Sequence, residues 1–236
     1  NGVILATNRK SFSVKFDRDV SKTTANDRAM YTQSLLHAIE IIEENGGKVI
    51  DDFNIKKTVE GEFYFDFNTT APKDHEKRRV QWVKNFYFFN NDYTIEQMYS
   101  KLRSRYGIPE SVDYETAHKV LSVWQEVQMN AFQSYYDIII STDVDMVTIS
   151  ELETQDFYDD CIQIVEGYTR VYPKGNTAAH VIGYIGKQTN NESIKANQDL
   201  GYSPSDEVGI SGIEASLERQ LTGNTNDKKG SRLVEV

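Results

Sequence analysis

The sequence predicts an α+β fold in which short strands from both ends of the chain surround a helix-rich insert. Apolar residues alternate with polar ones near residue 12, recur at helical spacing after residue 26, and return as a β-branched run at residue 137. This order divides the chain into a strand-containing part, 1–25 with 136–236, and an inserted part, 26–135.

The first predicted element is a hairpin within residues 3–17. Phe12, Val14 and Phe16 alternate with polar residues, as in a half-buried strand, and the polar stretch Asn8 to Lys10 is the expected turn. The sequence therefore predicts two short strands that pair with each other.

The inserted part is predicted to be mainly helical. Its first helix is expected between residue 26 and Gly46, because apolar residues recur there at helical spacing and paired glycines end helices. Alternating phenylalanines predict a strand within residues 63–67. Further helices are predicted at about 73–89, 94–106 and 113–135.

The last third of the chain returns to mixed structure. The β-branched run DIIISTDV predicts a strand after Asp137, and a short helix and another extended stretch are expected to follow, through Val171. The remaining predictions are helices at 177–186 and 209–222, a polar surface loop at 187–206 and a strand at 231–236.

Composition and charge narrow the classes of function. The 236 residues are 39% hydrophobic and 26% charged, which is typical of folded, soluble proteins. A net charge of -10 repels nucleic acid and anionic membranes, so neither is an expected direct partner. Cys161 is the one cysteine, so no internal disulfide can form, and its apolar surroundings predict a buried, unreactive thiol.

The motif with the highest specificity reads RVYPKGNTAAHVIGYIG and begins at Arg170. Pro173 favours an extended approach, Gly175 permits a turn, and the small residues after it allow close backbone contact. The residues that define this motif are Arg170, Tyr172, Pro173, Gly175, His180 and Gly183.

A second motif, GISGIEASLERQLTG, begins at Gly209. Its defining residues are Gly212, Glu214 and Gly223, and Gly223 stands where a helix C-cap belongs. The apolar residues between them share one helical face. The motif therefore predicts a short helix that begins and ends at glycine.

Together the two motifs resemble the N-terminal pedestal, or "dimerisation", domain of class B penicillin-binding proteins, the peptidoglycan D,D-transpeptidase family. Residues 1–6 are similar to the end of the segment that opens this domain, without its preceding Arg and Asp. The resemblance implies an elongated pedestal formed by 1–25 and 136–236 and a head lobe formed by 26–135. Its motifs are most specific across residues 168–223.

The resemblance also implies a function. It implies a non-catalytic scaffold on the extracytoplasmic side of the bacterial cell membrane, which positions a C-terminal transpeptidase domain. The implied partners are that domain, a SEDS-type glycosyltransferase and other cell-wall synthesis proteins. Because Asn1 is not a Met start and no long apolar run occurs, the chain is expected to be a fragment whose membrane anchor lies upstream.

Two alternatives remain open at this point. The resemblance implies that Arg170 and Glu214 meet where the terminal segments interlock, whereas the alternative is two independent surface charges. The alternative function is a stand-alone secreted module that binds a glycan or a peptide.

The sequence lacks the usual catalytic signatures. A penicillin-reactive site needs a Ser-x-x-Lys nucleophile with Ser-x-Asn and Lys-Thr-Gly elements, and none of the three occurs. The histidines are too widely separated for a ligand pair, and the adjacent acidic residues are more typical of a solvated face than of a calcium loop. We therefore expect no catalytic residue, metal or cofactor.

An aromatic cluster follows the basic run at 77–79. Five aromatic residues within eight positions exceed what one helical face buries, so part of the cluster is a candidate partner surface, although core packing is the commoner outcome. The candidate surface residues are Trp82, Phe86, Tyr87 and Phe89.

Overall fold

A computed structural model describes residues 2–89, 92–131, 137–187, 202 and 207–221 of the chain. These residues form both helices and strands, which confirms the predicted α+β class. The first half contains β1 (Thr7–Phe16), α1 (Ala25–Glu44), β2 (Ile55–Lys57), β3 (Phe63–Phe65), α2 (Pro72–Val80), a π-helical turn (Gln81–Phe86), α3 (Ile95–Arg105) and α4 (Tyr114–Met129). The second half contains β4 (Ile138–Thr142), α5 (Met146–Glu153), a 3-10 turn (Tyr158–Asp160), β5 (Ile162–Val171), α6 (Ala179–Ile182), β6 (Ile185–Lys187), β7 (Glu207–Gly209) and α7 (Gly212–Leu221).

The chain divides into two compact units with bounds that differ from the predicted ones. The larger unit is Lys10–Tyr168 and the smaller is Asn1–Arg9 with Thr169–Val236. Residues 10–25 and 137–168 thus join the helical insert, because their apolar side chains enter its core: Val14, Ile140 and Cys161 are fully buried there. Apolar periodicity located the elements but gave no information on which core they share.

The predicted N-terminal hairpin is wrong. β1 continues through Asn8 to Lys10 without a turn and pairs antiparallel with β4, with Phe16 opposite Ile138. In this three-stranded sheet the strand order is β4-β1-β5. An alternating pattern identifies a strand but not its partner, and here the partner lies more than 100 residues away.

The helix starts follow local capping chemistry. Thr24 caps α1 and Thr94 caps α3, each through a capping box in which the side chain three residues later bonds back to the cap. The cap Thr94 coincides with the predicted start of its helix, whereas Thr24 lies two residues before the predicted start of α1 at residue 26.

Three predicted helices end several residues early or are broken in the structure. The helix expected over 73–89 is α2 followed by the π-helical turn, and it ends at Phe86. The helix expected over 177–186 is the four-residue α6, because Gly183 leaves helical geometry at φ 80° and the chain enters β6. The helix expected over 113–135 is α4, which ends at Met129 with Asn130 as its C-cap. The predicted strand at 231–236 and the residue Gly223 lie outside the described residues.

The core of the larger unit is aromatic. Tyr31 and Phe16 are fully buried against Trp124, with ring centroids 6.5 and 5.9 Å from the indole. Tyr106 stacks on the same indole at 4.5 Å. Within the described ranges no helix is both long enough and apolar enough to span a bilayer.

Candidate functional site

Arg170 and Glu214, which the sequence expects to meet, are in contact within the smaller unit. Arg170 projects from β5, and its Nε and Nη2 atoms lie 2.9 and 2.8 Å from Oε1 of Glu214, in the first turn of α7. Arg170 Nη1 also donates to Oδ1 of Asn8, on β1, at 2.8 Å. The three residues, which we call the clasp, therefore connect three segments that are far apart in sequence.

Because Glu214 is buried, its negative charge must be compensated within the clasp. Glu214 is only 4% exposed, and a buried carboxylate is costly unless it is paired and hydrogen-bonded. The two guanidinium contacts provide this compensation, and the position of Glu214 in the first turn of a helix adds a favourable interaction with the helix dipole.

Tyr172 lies beside the clasp. Its side chain is half-buried, and this burial raises the pKa of the phenol, with the negative charge of Glu214 as a second cause. The hydroxyl is therefore held neutral next to the buried ion pair. Tyr172 extends the same packed region beyond the end of β5.

Two motif glycines let the backbone of α6 approach the start of α7. Gly183 has φ 80° and Gly212 has φ 62°, both in the left-handed region that glycine adopts without strain. A Cβ at Gly183 would overlap the carbonyl oxygen of Ser211, and one at Gly212 would lie 2.5 Å from the carbonyl oxygen of Val181. The two glycines thus form a backbone crossing that excludes any side chain.

The sequence did not indicate Glu218 as a site residue. Its carboxylate accepts hydrogen bonds from the backbone N–H of Gly209 at 2.8 Å and from the hydroxyl of Tyr202 at 2.7 Å. These bonds tie α7 to β7. The available signal was its spacing of four residues from Glu214, which places both carboxylates on one side of the helix.

The remaining residues of the first motif do not join this arrangement. Pro173, Gly175 and His180 are exposed, and Gly175 adopts a left-handed turn at φ 54°. The predicted structural role of these three residues stays a prediction.

The predicted partner surface is wrong for two of its four residues. Trp82 and Tyr87 are only 1% and 3% exposed, and the indole of Trp82 donates to Gln125 at 2.9 Å. Phe86 and Phe89 are half-buried. A π-helical turn contains about one residue more than an α-helical turn. Aromatic side chains that an α-helix would distribute around its surface can therefore face the core.

One aromatic residue of the cluster remains largely accessible. Phe88 is 75% exposed and adopts φ 55°, an uncommon backbone conformation for a bulky residue. It directly follows the π-helical turn and its buried neighbour Tyr87.

Two titratable side chains of the larger unit, His118 and Cys161, are buried. His118 contacts a carboxylate oxygen of Asp51 at 2.6 Å through Nδ1 and the carbonyl oxygen of Ile55 at 2.8 Å through Nε2. Cys161 is fully buried, and this burial raises the pKa of its thiol to about 11. Within the described part of the chain, no group of three or more His, Cys, Asp or Glu side chains could hold a metal ion.

The chain thus combines an α+β fold with a buried ion pair and a glycine crossing that join distant segments of the smaller unit. Residues 1–235 match the model of the penicillin-binding protein dimerisation domain. Because this match covers almost the whole chain, the chain belongs to that family, and the resemblance drawn from the two motifs is confirmed.

Relatives of the chain are longer proteins. Over 62 residues it is 39% identical to the peptidoglycan D,D-transpeptidase MrdA of Acinetobacter baumannii, a match that spans 26% of this chain and 9% of that protein. It also resembles penicillin-binding protein 2B of Streptococcus pneumoniae, with 16% identity, a TM-score of 0.42 and coverage of 91% of this chain and 31% of that one. For PBP2 in the Helicobacter pylori complex with MreC, the identity is 18%, the TM-score 0.38 and the coverage 90% and 25%. The chain thus spans less than a third of each of these relatives.

Proposed function

We propose that the chain is a non-catalytic scaffold of a class B penicillin-binding protein, which positions the transpeptidase domain and docks partner proteins in peptidoglycan synthesis. The clasp of Arg170, Glu214 and Asn8 carries this proposal. A buried ion pair that joins distant segments gives a domain a fixed internal geometry, which a spacer between a membrane and a catalytic domain requires. Family membership supports the same role.

The proposed partners follow from this role. They are the protein's own C-terminal transpeptidase domain, a SEDS-type glycosyltransferase and other cell-wall synthesis proteins. The proposed location is the extracytoplasmic side of the bacterial cell membrane, reached through an upstream single-pass anchor. The relative MrdA, which is named a peptidoglycan D,D-transpeptidase, supports the proposal that the intact protein catalyses that reaction.

We propose that the two compact units divide this work. The smaller unit, Asn1–Arg9 with Thr169–Val236, contains the clasp and acts as the pedestal. The larger unit, Lys10–Tyr168, contains the helical insert and acts as the head that meets partner proteins.

Fluorescent penicillin tests the proposed absence of catalysis. The purified 236-residue chain is expected to form no covalent adduct, because its sequence lacks the Ser-x-x-Lys nucleophile. The full-length protein, treated in parallel, is expected to become labelled. Labelling of the isolated chain would show that it carries a nucleophile of its own and would overturn the proposal.

A further inference from the structure

A local excess of positive charge lies on α2 and the π-helical turn. Residues 73–84 contain five Lys or Arg and two carboxylates, in a chain whose net charge is -10. Arg79 is neutralised by Glu76 through contacts of 2.8 and 2.7 Å. Lys77 and Arg78 are exposed, so this surface attracts negative charge that the molecule as a whole repels.

These two cations border a cavity of about 490 Å³ within the larger unit. Its apolar lining is formed by Phe67, Trp82, Phe86 and Met129. Arg78 is held at the edge because its Nη1 donates to the carbonyl oxygen of Phe67 at 3.2 Å. Among the described lining residues Asp74 is the one carboxylate. An apolar floor beneath two positive charges suits a group that is aromatic at one end and acidic at the other.

The backbone next to this cavity is unusual in two respects. The π-helical turn supplies Trp82 and Phe86 to the cavity lining, and such turns are rare and frequent at functional sites. Phe88 follows it in a left-handed conformation and is mostly exposed, although burial would be favourable for its ring. A residue held in a costly conformation with its apolar side chain in water is typical of a binding surface.

We propose that this cavity docks a short segment of a partner protein that contains aromatic and acidic residues. An aromatic side chain of the segment enters the cavity and contacts Phe86 and Met129, the two apolar lining residues that are half-buried. Carboxylates beside it pair with Lys77 and Arg78. This inference rests on the proposed docking function and deepens it, because it defines the chemistry of one partner segment.

The probe is a fluorescein-labelled peptide in which two phenylalanines alternate with aspartate and glutamate, and its binding to the 236-residue chain is followed by fluorescence polarisation. The double variant Lys77→Glu with Arg78→Glu is expected to bind the peptide at least about tenfold more weakly, since both ion pairs become repulsive. The variant Lys48→Glu with Lys174→Glu makes the same charge change at two exposed lysines outside the basic surface and is expected to bind within about twofold of the parent.

A further variant and two further peptides distinguish binding at this surface from a general effect of charge. Lys77→Glu alone leaves the bond from Arg78 to Phe67 in place, so a loss of binding by this variant, with an unchanged melting temperature, supports the proposal without a folding defect. A peptide with alanine in place of phenylalanine, and polyglutamate, are expected to bind much more weakly. Equal binding of polyglutamate, or an equal loss in the Lys48 and Lys174 control, would overturn the proposal.

A second binding measurement on the same chain distinguishes a failure of the proposed cavity from a failure of the proposed docking function. Its binding to the extracytoplasmic part of an MreC-type protein from the same bacterium is measured in parallel. No peptide binding with intact partner binding would overturn the cavity alone. No binding of either would overturn both the cavity and the docking function.

Discussion

Arg170 and Glu214 show how a single pair of residues can determine the arrangement of a unit. The carboxylate is almost completely buried, and its compensation comes from one guanidinium that also reaches Asn8. Removal of one member leaves the other as an unpaired charge in a poorly solvated position, which costs more than the pair itself contributes. A surface pair has no such consequence, because water replaces the lost partner.

Replacement of Arg170 is therefore expected to reduce the stability of the folded chain strongly. Arg170→Ala should lower the free energy of unfolding by about 3–5 kcal/mol, measured by urea denaturation. Lys10→Ala, which breaks the exposed pair with Glu166, is the matched control and should cost about 1 kcal/mol or less. If the two variants unfold at the same urea concentration, the clasp does not stabilise the smaller unit.

Cys161 gives a second prediction for a single residue. Because burial raises the pKa of its thiol to about 11, almost no thiolate exists at about pH 8, and the sulfur is also inaccessible. A thiol reagent such as Ellman's reagent should react with the native chain far more slowly than with the chain in guanidinium. Equal rates would contradict the buried position of Cys161.

At the scale of elements, the crossing of α6 and α7 depends on glycine. Gly183→Ala should destabilise the chain by about 2–4 kcal/mol, since it adds both backbone strain and an overlap with Ser211. Gly175→Ala is the matched control, because Gly175 also has a positive φ but a Cβ added there would meet no heavy atom within 4 Å. Thermal unfolding of both variants should separate the two effects, and equal melting temperatures would contradict the crossing.

The segment before α1 is tied to the 3-10 turn by Asp159. This carboxylate accepts hydrogen bonds from Lys22 and, at 2.6 Å, from the hydroxyl of Tyr31, and both bonds lower its pKa, with Lys22 the larger cause. A lowered pKa in the folded state means that the stabilisation is fully present above the unfolded pKa, about 3.9, and is lost as the pH falls through the folded value.

The substitution Asp159→Asn tests this link. The variant should melt at a lower temperature than the parent at about pH 7, and the difference should shrink as the pH falls below about 4. Asparagine tolerates the left-handed backbone of this position, where φ is 58°, so the comparison reports the charge. A difference that stays constant from neutral pH to about pH 3 would show that the charge of Asp159 contributes nothing.

The elements differ in how far the sequence could predict them. α3 was predicted within a residue at each end, because its capping box and its apolar spacing are local signals. β1 was predicted as a strand with the wrong partner, since no local signal specifies β4. The π-helical turn was predicted as ordinary helix, and the resulting assignment of Trp82 and Tyr87 to a surface was wrong.

The residues of the candidate site also differ in how far the sequence could predict them. Arg170, Glu214 and the crossing glycines were predicted because a family motif contains them. Asn8 and Glu218 were not, because their role arises only when β1, β7 and α7 come together. The position of Phe88 likewise depends on backbone geometry that composition does not encode.

For the whole molecule, the fold and the family match agree on an α+β penicillin-binding protein dimerisation domain. In our proposal, a partner meets the larger unit at the local basic surface on α2. The clasp and the glycine crossing stabilise the smaller unit. We therefore propose that this chain positions and docks, and that peptide chemistry belongs to another domain of the intact protein.

The rate at which fluorescent penicillin acylates the full-length protein, compared between the parent and Arg170→Ala, tests this assignment most directly. We expect acylation rates within about twofold of each other, together with reduced growth of cells that depend on the variant. A fall of at least about tenfold in the acylation rate of the folded variant would contradict the assignment, because the chain would then contribute to the catalytic step.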